Sequence, residues 1–178
     1  MQPTAQAVGD KWETDQPQRG ERAMSVDSIQ SRQRHFTRMQ EHLRAHRNGK
    51  KRGELAELAF ILKAASLGLA VAKPYGDSEP YDFIVYSGPN FLKIQVKSTS
   101  NLVHGGYPLN SRRKRKGQRV PYTASEIDFL IAYVAPENAW FVIPIQALLS
   151  HPSIRLYPRE SNRQGHFDQY REAWHLLQ

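Results

Sequence analysis

The spacing of apolar residues changes several times along the chain, and each change predicts an element. Residues 1–27 are polar, with scattered Pro and Gly and no periodicity, which reads as a disordered extension. Ile29, Phe36, Met39 and Leu43 then fall at helical spacing up to the stop signal Asn48-Gly49. This predicts a basic amphipathic helix over 28–50. GELAELAFILKAASLG follows, a strong helix with apolar residues nearly all the way round, so burial on most sides is expected. Gly68 stands where a helix C′ residue belongs. Five short apolar runs predict strands: LAVAK (69–73), YDFIVY (81–86), FLKIQVKS (91–98), FLIAYV (129–134) and AWFVIPI (139–145). Residues 101–121, rich in Gly, Arg and Lys, read as a long loop. TASEID reads as a helical turn, QALLS as a short helix and DQYREAWHLL as a last amphipathic helix. The pattern is that of a mixed α/β (α+β) domain over 51–178, a central sheet of about five strands flanked by helices.

Two polar residues interrupt one of the core runs. In FLKIQVKS, Ile94 and Val96 share one strand face, and Gln95 and Lys97 share the other. If SGPN (87–90) is the turn, Tyr86 pairs with Phe91 and the count outward places Asp82 opposite Gln95. A one-residue slip would break this alignment. A carboxylate, an amide and an ammonium then converge on one edge of the sheet. On the preceding helix Glu57 falls between Phe60, Ile61 and Ala64, at the rim of the core or facing a charge. Glu54, one turn earlier, is its rival. Carboxylate and amide oxygens are hard ligands suited to Mg²⁺. A neighbouring lysine can stabilise a phosphate oxygen or help deprotonate an attacking water. The same spacing equally allows a buried Asp82–Lys97 ion pair with Gln95 as its polar neighbour.

Charge adds a substrate class. The chain carries a net +8, and from Phe83 to Ser125 there is no acidic residue. That stretch contains Lys93, Lys97, Arg112, Arg113, Lys114, Arg115, Lys116 and Arg119; the remaining 17 basic residues balance the 17 acidic ones. Basic charge gathered in one segment is the footprint of a polyanion, most often nucleic acid. Tyr107, Tyr122 and His104 flank the segment, as base-stacking groups or as ordinary loop anchors. There is no cysteine, so disulfides and thiolate sites are excluded. No apolar run is long enough to span a bilayer, so no membrane partner is expected and a cytoplasmic, nucleoid-associated protein is. His42 and His46 stand at i, i+4 but have no third ligand nearby, and read as a solvated helix face. Asp128 reads as a local cap or salt bridge, and Trp140 and Phe141 as core.

GELAE, then PYGDSEPYDFIV, then IQVKS resembles the PD-(D/E)xK nuclease superfamily. The Gln-x-Lys motif, with RVPYTASEIDFLIAYVAPENAWFVIPI downstream, is similar to its group I intron homing-endonuclease-like branch. The resemblance covers about residues 50–146. It implies a restriction-endonuclease-like core, with Asp82, Gln95, Lys97 and Glu57 as catalytic residues. Asp82, Gln95, Glu57 and the backbone carbonyl of Val96 would hold Mg²⁺, for which Mn²⁺ could substitute. The implied activity is endonucleolytic hydrolysis of DNA phosphodiesters by metal-activated water. Arg112, Arg113, Lys114, Arg115, Lys116, Arg119 and Tyr122 would grip double-stranded DNA. One such site cuts one strand, so a homo-oligomer, a dimer or higher, is expected for cutting a duplex. Two readings compete: a non-catalytic nucleic-acid-binding module with a nuclease-like fold, for which the neutral Gln95 speaks, and a nuclease directed at junctions or RNA.

Overall fold

The structure, a computed structural model, describes residues 48–149, 151, 153–159 and 165–178. The extension expected over 1–27, and the amphipathic helix expected over 28–50 with His42 and His46, lie outside these residues up to Asn48.

Asn48 begins a helix. Its Oδ1 accepts from Lys50 N at 3.0 Å and caps α1 (Gly49–Ser66). At the other end Gly68 takes φ 75°, Leu69 N donates to Ala64 O at 3.0 Å and Gly68 N to Ala65 O at 3.1 Å. This is the left-handed cap the sequence predicts. Burial of α1 is one-sided, contrary to expectation. Ala56, Ala59, Phe60 and Ala64 are buried, whereas Leu58 and Leu62 are 58% and 56% exposed. Small residues at 56, 59 and 64 let the helix lie close to the sheet, and a single sheet can cover only one face of it.

The main sheet has five strands in the order β1 (Ala70–Ala72), β2 (Phe83–Ser87), β3 (Asn90–Thr99), β7 (Phe129–Val134), β8 (Ala139–Pro144). The β3–β7 pair is parallel and the other neighbours are antiparallel, so the sheet is mixed. α1 packs on one face, over Phe83, Val85, Ile94 and Val96. On the opposite face Leu130, Ala132 and Val134 of β7 meet Tyr107, Leu109, Ile154 and Leu156 in a second core. Trp140 and Phe141 are buried, as expected of core residues.

Two departures have local causes. The expected loop over 101–121 contains three strands. β4 (Tyr107–Asn110) pairs with β9 (Ser153–Leu156), and β5 (Arg112–Arg115) pairs with β6 (Gln118–Pro121). Lys116 and Gly117, with φ 49° and 82°, form the two-residue turn between β5 and β6, the conformation whose twist suits a hairpin. Basic side chains mask the strand signal because most of the ribbon is solvated. The second departure is the C-terminal segment, which forms two 3-10 turns, Asp168–Tyr170 and Trp174–Leu177, instead of one helix. Arg171 bridges to Phe141 and Glu172 takes φ 50°; Glu172 N donates to Trp140 O and Glu172 Oε1 accepts from Trp140 N. Pairing with the edge of β8 overrides the helical period. The helix α2 (Ile145–Leu148) and the turn after Thr123 form as expected.

Candidate active site

The β2–β3 hairpin sets the geometry. Its register pairs Tyr86 with Phe91 and Phe83 with Ile94. The tight turn is Gly88-Pro89, inside the predicted SGPN, and the register is the predicted one. Asp82 lies one residue before β2, and its N–H still donates to Ile94 O at 2.8 Å. Its carboxylate therefore turns toward the Gln95 side of β3.

There it is held from two directions. Val96 N donates to Asp82 Oδ2 at 2.8 Å, and Gln95 Nε2 donates to the same oxygen at 2.5 Å. Gln95 Nε2 also reaches the Val96 carbonyl at 3.1 Å. Carboxylate, amide and backbone carbonyl thus meet at one point. Burial raises the Asp82 carboxyl above its ordinary range, the Val96 N–H opposes this, the Glu57 charge adds to it, and Lys97 and Gln95 oppose it.

Lys97 is two residues along the same strand face. Its Nζ lies 5.6 Å from the centre of the Tyr122 ring. Burial pulls the Lys97 ammonium below its ordinary range, while Asp82 pushes it back up. β7 continues this face: Gln95 is in register with Leu130, Lys97 with Ala132 and Thr99 with Val134. The sheet face that is apolar core on β7 becomes polar on β3, at the margin of the second core.

Glu57 approaches from α1. Its charge acts on Asp82, but its Oε2 is bound by Lys73 Nζ at 2.7 Å. That hydrogen bond holds Lys73 above its ordinary range against the effect of burial, with the charges of Glu57, Asp82 and Glu54 adding. Glu54 is exposed and acts on Lys73, whereas the Glu57 charge also acts on Asp82. Sequence reasoning missed Lys73; the strand LAVAK ends on it, and only the helix-to-strand packing brings it to Glu57.

The basic segment divides. Arg112, Lys114, Arg115, Lys116 and Arg119 are exposed on the β5–β6 ribbon. Arg113 is not free: its guanidinium makes a two-pronged pair with Glu126, which also accepts from Thr123 N at 3.1 Å. Tyr122 is 5% exposed and lies within the second core beneath Lys97, not on the solvated ribbon. Burial, then the Asp82 charge, pushes its phenol upward despite Arg113, so it stays protonated. Tyr107 is likewise buried, with its hydroxyl donating to Glu137 at 2.6 Å. Asp128 is a backbone bracket and not a salt bridge: Oδ2 accepts from Lys93 N at 2.7 Å, and Asp128 N donates to Lys93 O at 2.9 Å.

Among the described residues no three His, Cys, Asp or Glu side chains converge as a ready metal cage. The donor set here is different in kind: one carboxylate, one amide and one backbone carbonyl, with a second carboxylate nearby. Gln95 Nε2, a donor, stands between Asp82 Oδ2 and Val96 O. Exchanging the amide's nitrogen and oxygen by rotation of its last torsion would offer an acceptor at that point. The three groups then fit a hard, oxygen-coordinated divalent cation.

Fold and site together define the class: an endonuclease built on a restriction-endonuclease-like core. The chain belongs to the PD-(D/E)XK endonuclease family, whose match spans residues 47–177. It is also similar to the bacterial homing endonuclease I-Ssp6803I, with 34% identity, 72% of this chain and 91% of that chain covered, and a TM-score of 0.65. Two more distant likenesses are Hjc, a Holliday junction resolvase from Archaeoglobus fulgidus, and MepB. Hjc shares 18% identity over 60% of this chain and 87% of its own, with a TM-score of 0.40. MepB shares 15% over 67% and 93%, with a TM-score of 0.39. No curated protein matches the chain. No helix among the described residues is long and apolar enough to cross a membrane.

Proposed function

We propose that this endonuclease is Mg²⁺-dependent and cuts double-stranded DNA, with Asp82, Gln95, Lys97 and Glu57 as its working residues. The observation that carries the reading is the meeting of Asp82 Oδ2, the Gln95 amide and the Val96 carbonyl within 2.5–3.1 Å, with Lys97 on the same face. Asp82, Gln95 and the Val96 carbonyl would hold the cation. Glu57 joins them where Lys73 releases it. When bound, the cation supplies Lewis-acid polarisation of the phosphoryl group and a lowered pKa for the attacking water. Lys97 faces the scissile phosphate and donates to its non-bridging oxygen. Its lowered proton affinity lets it release and regain a proton more readily than an exposed lysine does. Tyr122 supports Lys97 from below and keeps water from that side. Arg112, Lys114, Arg115, Lys116 and Arg119 neutralise backbone phosphates from the β5–β6 ribbon, and Arg113 braces the ribbon through Glu126.

The likeness to a homing endonuclease favours duplex DNA as the substrate. Cutting both strands requires two such sites, hence a symmetric oligomer, with Mn²⁺ able to replace Mg²⁺. The test is cleavage of supercoiled plasmid by folded protein with Mg²⁺, with Mn²⁺ and with chelator. Metal-dependent nicking or linearisation is expected. Equal products with and without chelator, or none on any duplex, would remove the proposal. Static light scattering of the active sample reads the oligomer, and a monomer that cuts both strands in one encounter would contradict the dimer.

A further inference from the structure

Beyond Lys97, strand β3 runs into a cleft of about 210 Å³. Ser98, Thr99, Ser100 and Asn101 line it from β3 and the residues after it, Asn110 from the end of β4, and Arg52 from the first turns of α1. The lining contains hydroxyls, amides and a guanidinium, and no carboxylate. Arg52 makes no ion pair with any described residue. Part of the wall is already committed: Thr99 Oγ1 donates to Pro108 O at 2.9 Å, and Asn110 Oδ1 accepts from Arg112 N at 2.9 Å. These two bonds fix the cleft's shape. The Ser98, Ser100 and Asn101 side chains make no hydrogen bond to a described residue and remain available as donors, as does the Asn110 amide nitrogen.

A cation with no counter-charge among the described residues, ringed by neutral donors and no acids, is suited to an anion with several acceptor oxygens. The place of the cleft indicates which anion. Thr99 follows Lys97 by two residues, an advance of ~7 Å along a strand, which is one step of a nucleic-acid backbone. We propose that the cleft is a second phosphate subsite, which holds the backbone phosphate next to the scissile one with Arg52 as its charge. It adds grip and register at the site and is separate from the β5–β6 ribbon. The inference rests on the reading of the site as a DNA endonuclease.

Coupling between protein and DNA changes tests it. Duplexes carry a single neutral methylphosphonate at one or the other phosphate beside the cut. Binding by the wild type and by Arg52→Gln is measured by anisotropy in Ca²⁺, and cleavage in Mg²⁺. At one flanking position the neutral linkage weakens wild-type binding about tenfold, as expected for loss of a charge-assisted hydrogen bond. Arg52→Gln shows the same loss on ordinary DNA, no further loss on that modified duplex, and a salt slope lower by about one. Arg52→Lys recovers part of the affinity. Ser100→Ala and Asn101→Ala give the same coupling at smaller amplitude, and decide the matter if Arg52→Gln unfolds. Losses that simply multiply at both positions, or an Arg52→Gln variant that binds as the wild type does, overturn the subsite. Because the coupling is read in binding, absence of cleavage by the wild type would remove the catalytic reading without obscuring this result.

Discussion

The proposed function gives two hairpins in this molecule opposite jobs. The β2–β3 hairpin lies within the five-stranded sheet, with Phe83, Val85, Ile94 and Val96 buried under α1. The β5–β6 hairpin is a separate two-stranded sheet whose arginines and lysines are mostly exposed. The proposed chemistry needs atoms held to a fraction of an ångström, and Gln95 and Lys97 sit on β3, with Asp82 one residue before β2, on backbone that cannot move without loss of the core. Grip on a polyanion needs charge and reach, which a solvated ribbon supplies at little cost to the fold. Mutations should therefore separate cleanly: the first hairpin's polar face governs rate, and the second governs affinity.

The largest effect is expected at the first hairpin. Asp82→Asn and Lys97→Ala should each lower the single-turnover cleavage rate at least about a hundredfold, while DNA affinity by anisotropy changes little. Loss of affinity in step with rate would place these residues in binding instead. At the second hairpin, the triple change Arg115→Ala, Lys116→Ala, Arg119→Ala should weaken binding on the order of a hundredfold. It should also flatten the salt dependence by ~0.9 for each phosphate no longer neutralised. Its melting temperature should stay near that of the wild type. A salt slope unchanged by the triple variant would deny the ribbon its role.

The two turns sharpen the contrast further. Gly88 and Gly117 both have positive φ, 57° and 82°, so Gly→Val costs about 1–2 kcal/mol of local conformational energy at either. Gly88→Val should lower global stability in denaturant titration, because its hairpin is part of the core. Gly117→Val should leave global stability nearly intact and weaken DNA binding, because only the ribbon loosens. Equal melting shifts from the two would erase the distinction.

The smallest effect is on stability and its pH dependence. Burial raises Asp82 above its ordinary value, so the stability it contributes is present at low pH and is lost as pH rises through its folded-state pKa. Burial lowers Lys97, so its contribution is present only at high pH and is lost as pH falls through its folded-state pKa. Charging either group in the fold carries this cost, a stability–activity trade-off. Asp82→Asn should therefore melt higher than the metal-free wild type above the Asp82 pKa, with the gap closing as the solution is acidified through it. A gap that widens on acidification would reverse the assigned sign.

Much of this was legible in the residues, for physical reasons. Alternation in FLKIQVKS and the two-residue turn in SGPN fix the β2–β3 register, and with it the meeting of Asp82 and Gln95. The C-terminal end of α1 follows from Gly68, whereas its start does not: Asn48 reads as a stop, and α1 begins four residues before GELAE, at Gly49. What sequence conceals is pairing that depends on distant chain. Arg113 looks like one more phosphate ligand, and only the fold brings Glu126 to it. Tyr122 looks like a stacking residue, yet it is buried under Lys97. Lys73, the partner of Glu57, gives no signal in sequence. β5 and β6 read as loop because a solvated ribbon carries no apolar alternation.

The central claim is that Asp82, Gln95 and the Val96 carbonyl form one divalent-cation site, and calorimetric titration of Mg²⁺ or Mn²⁺ into the DNA-free protein tests it most directly. The wild type should show one site per chain, and Asp82→Asn should lose it while remaining folded. Absence of any site in the wild type, or a site of undiminished affinity in Asp82→Asn, would contradict the account.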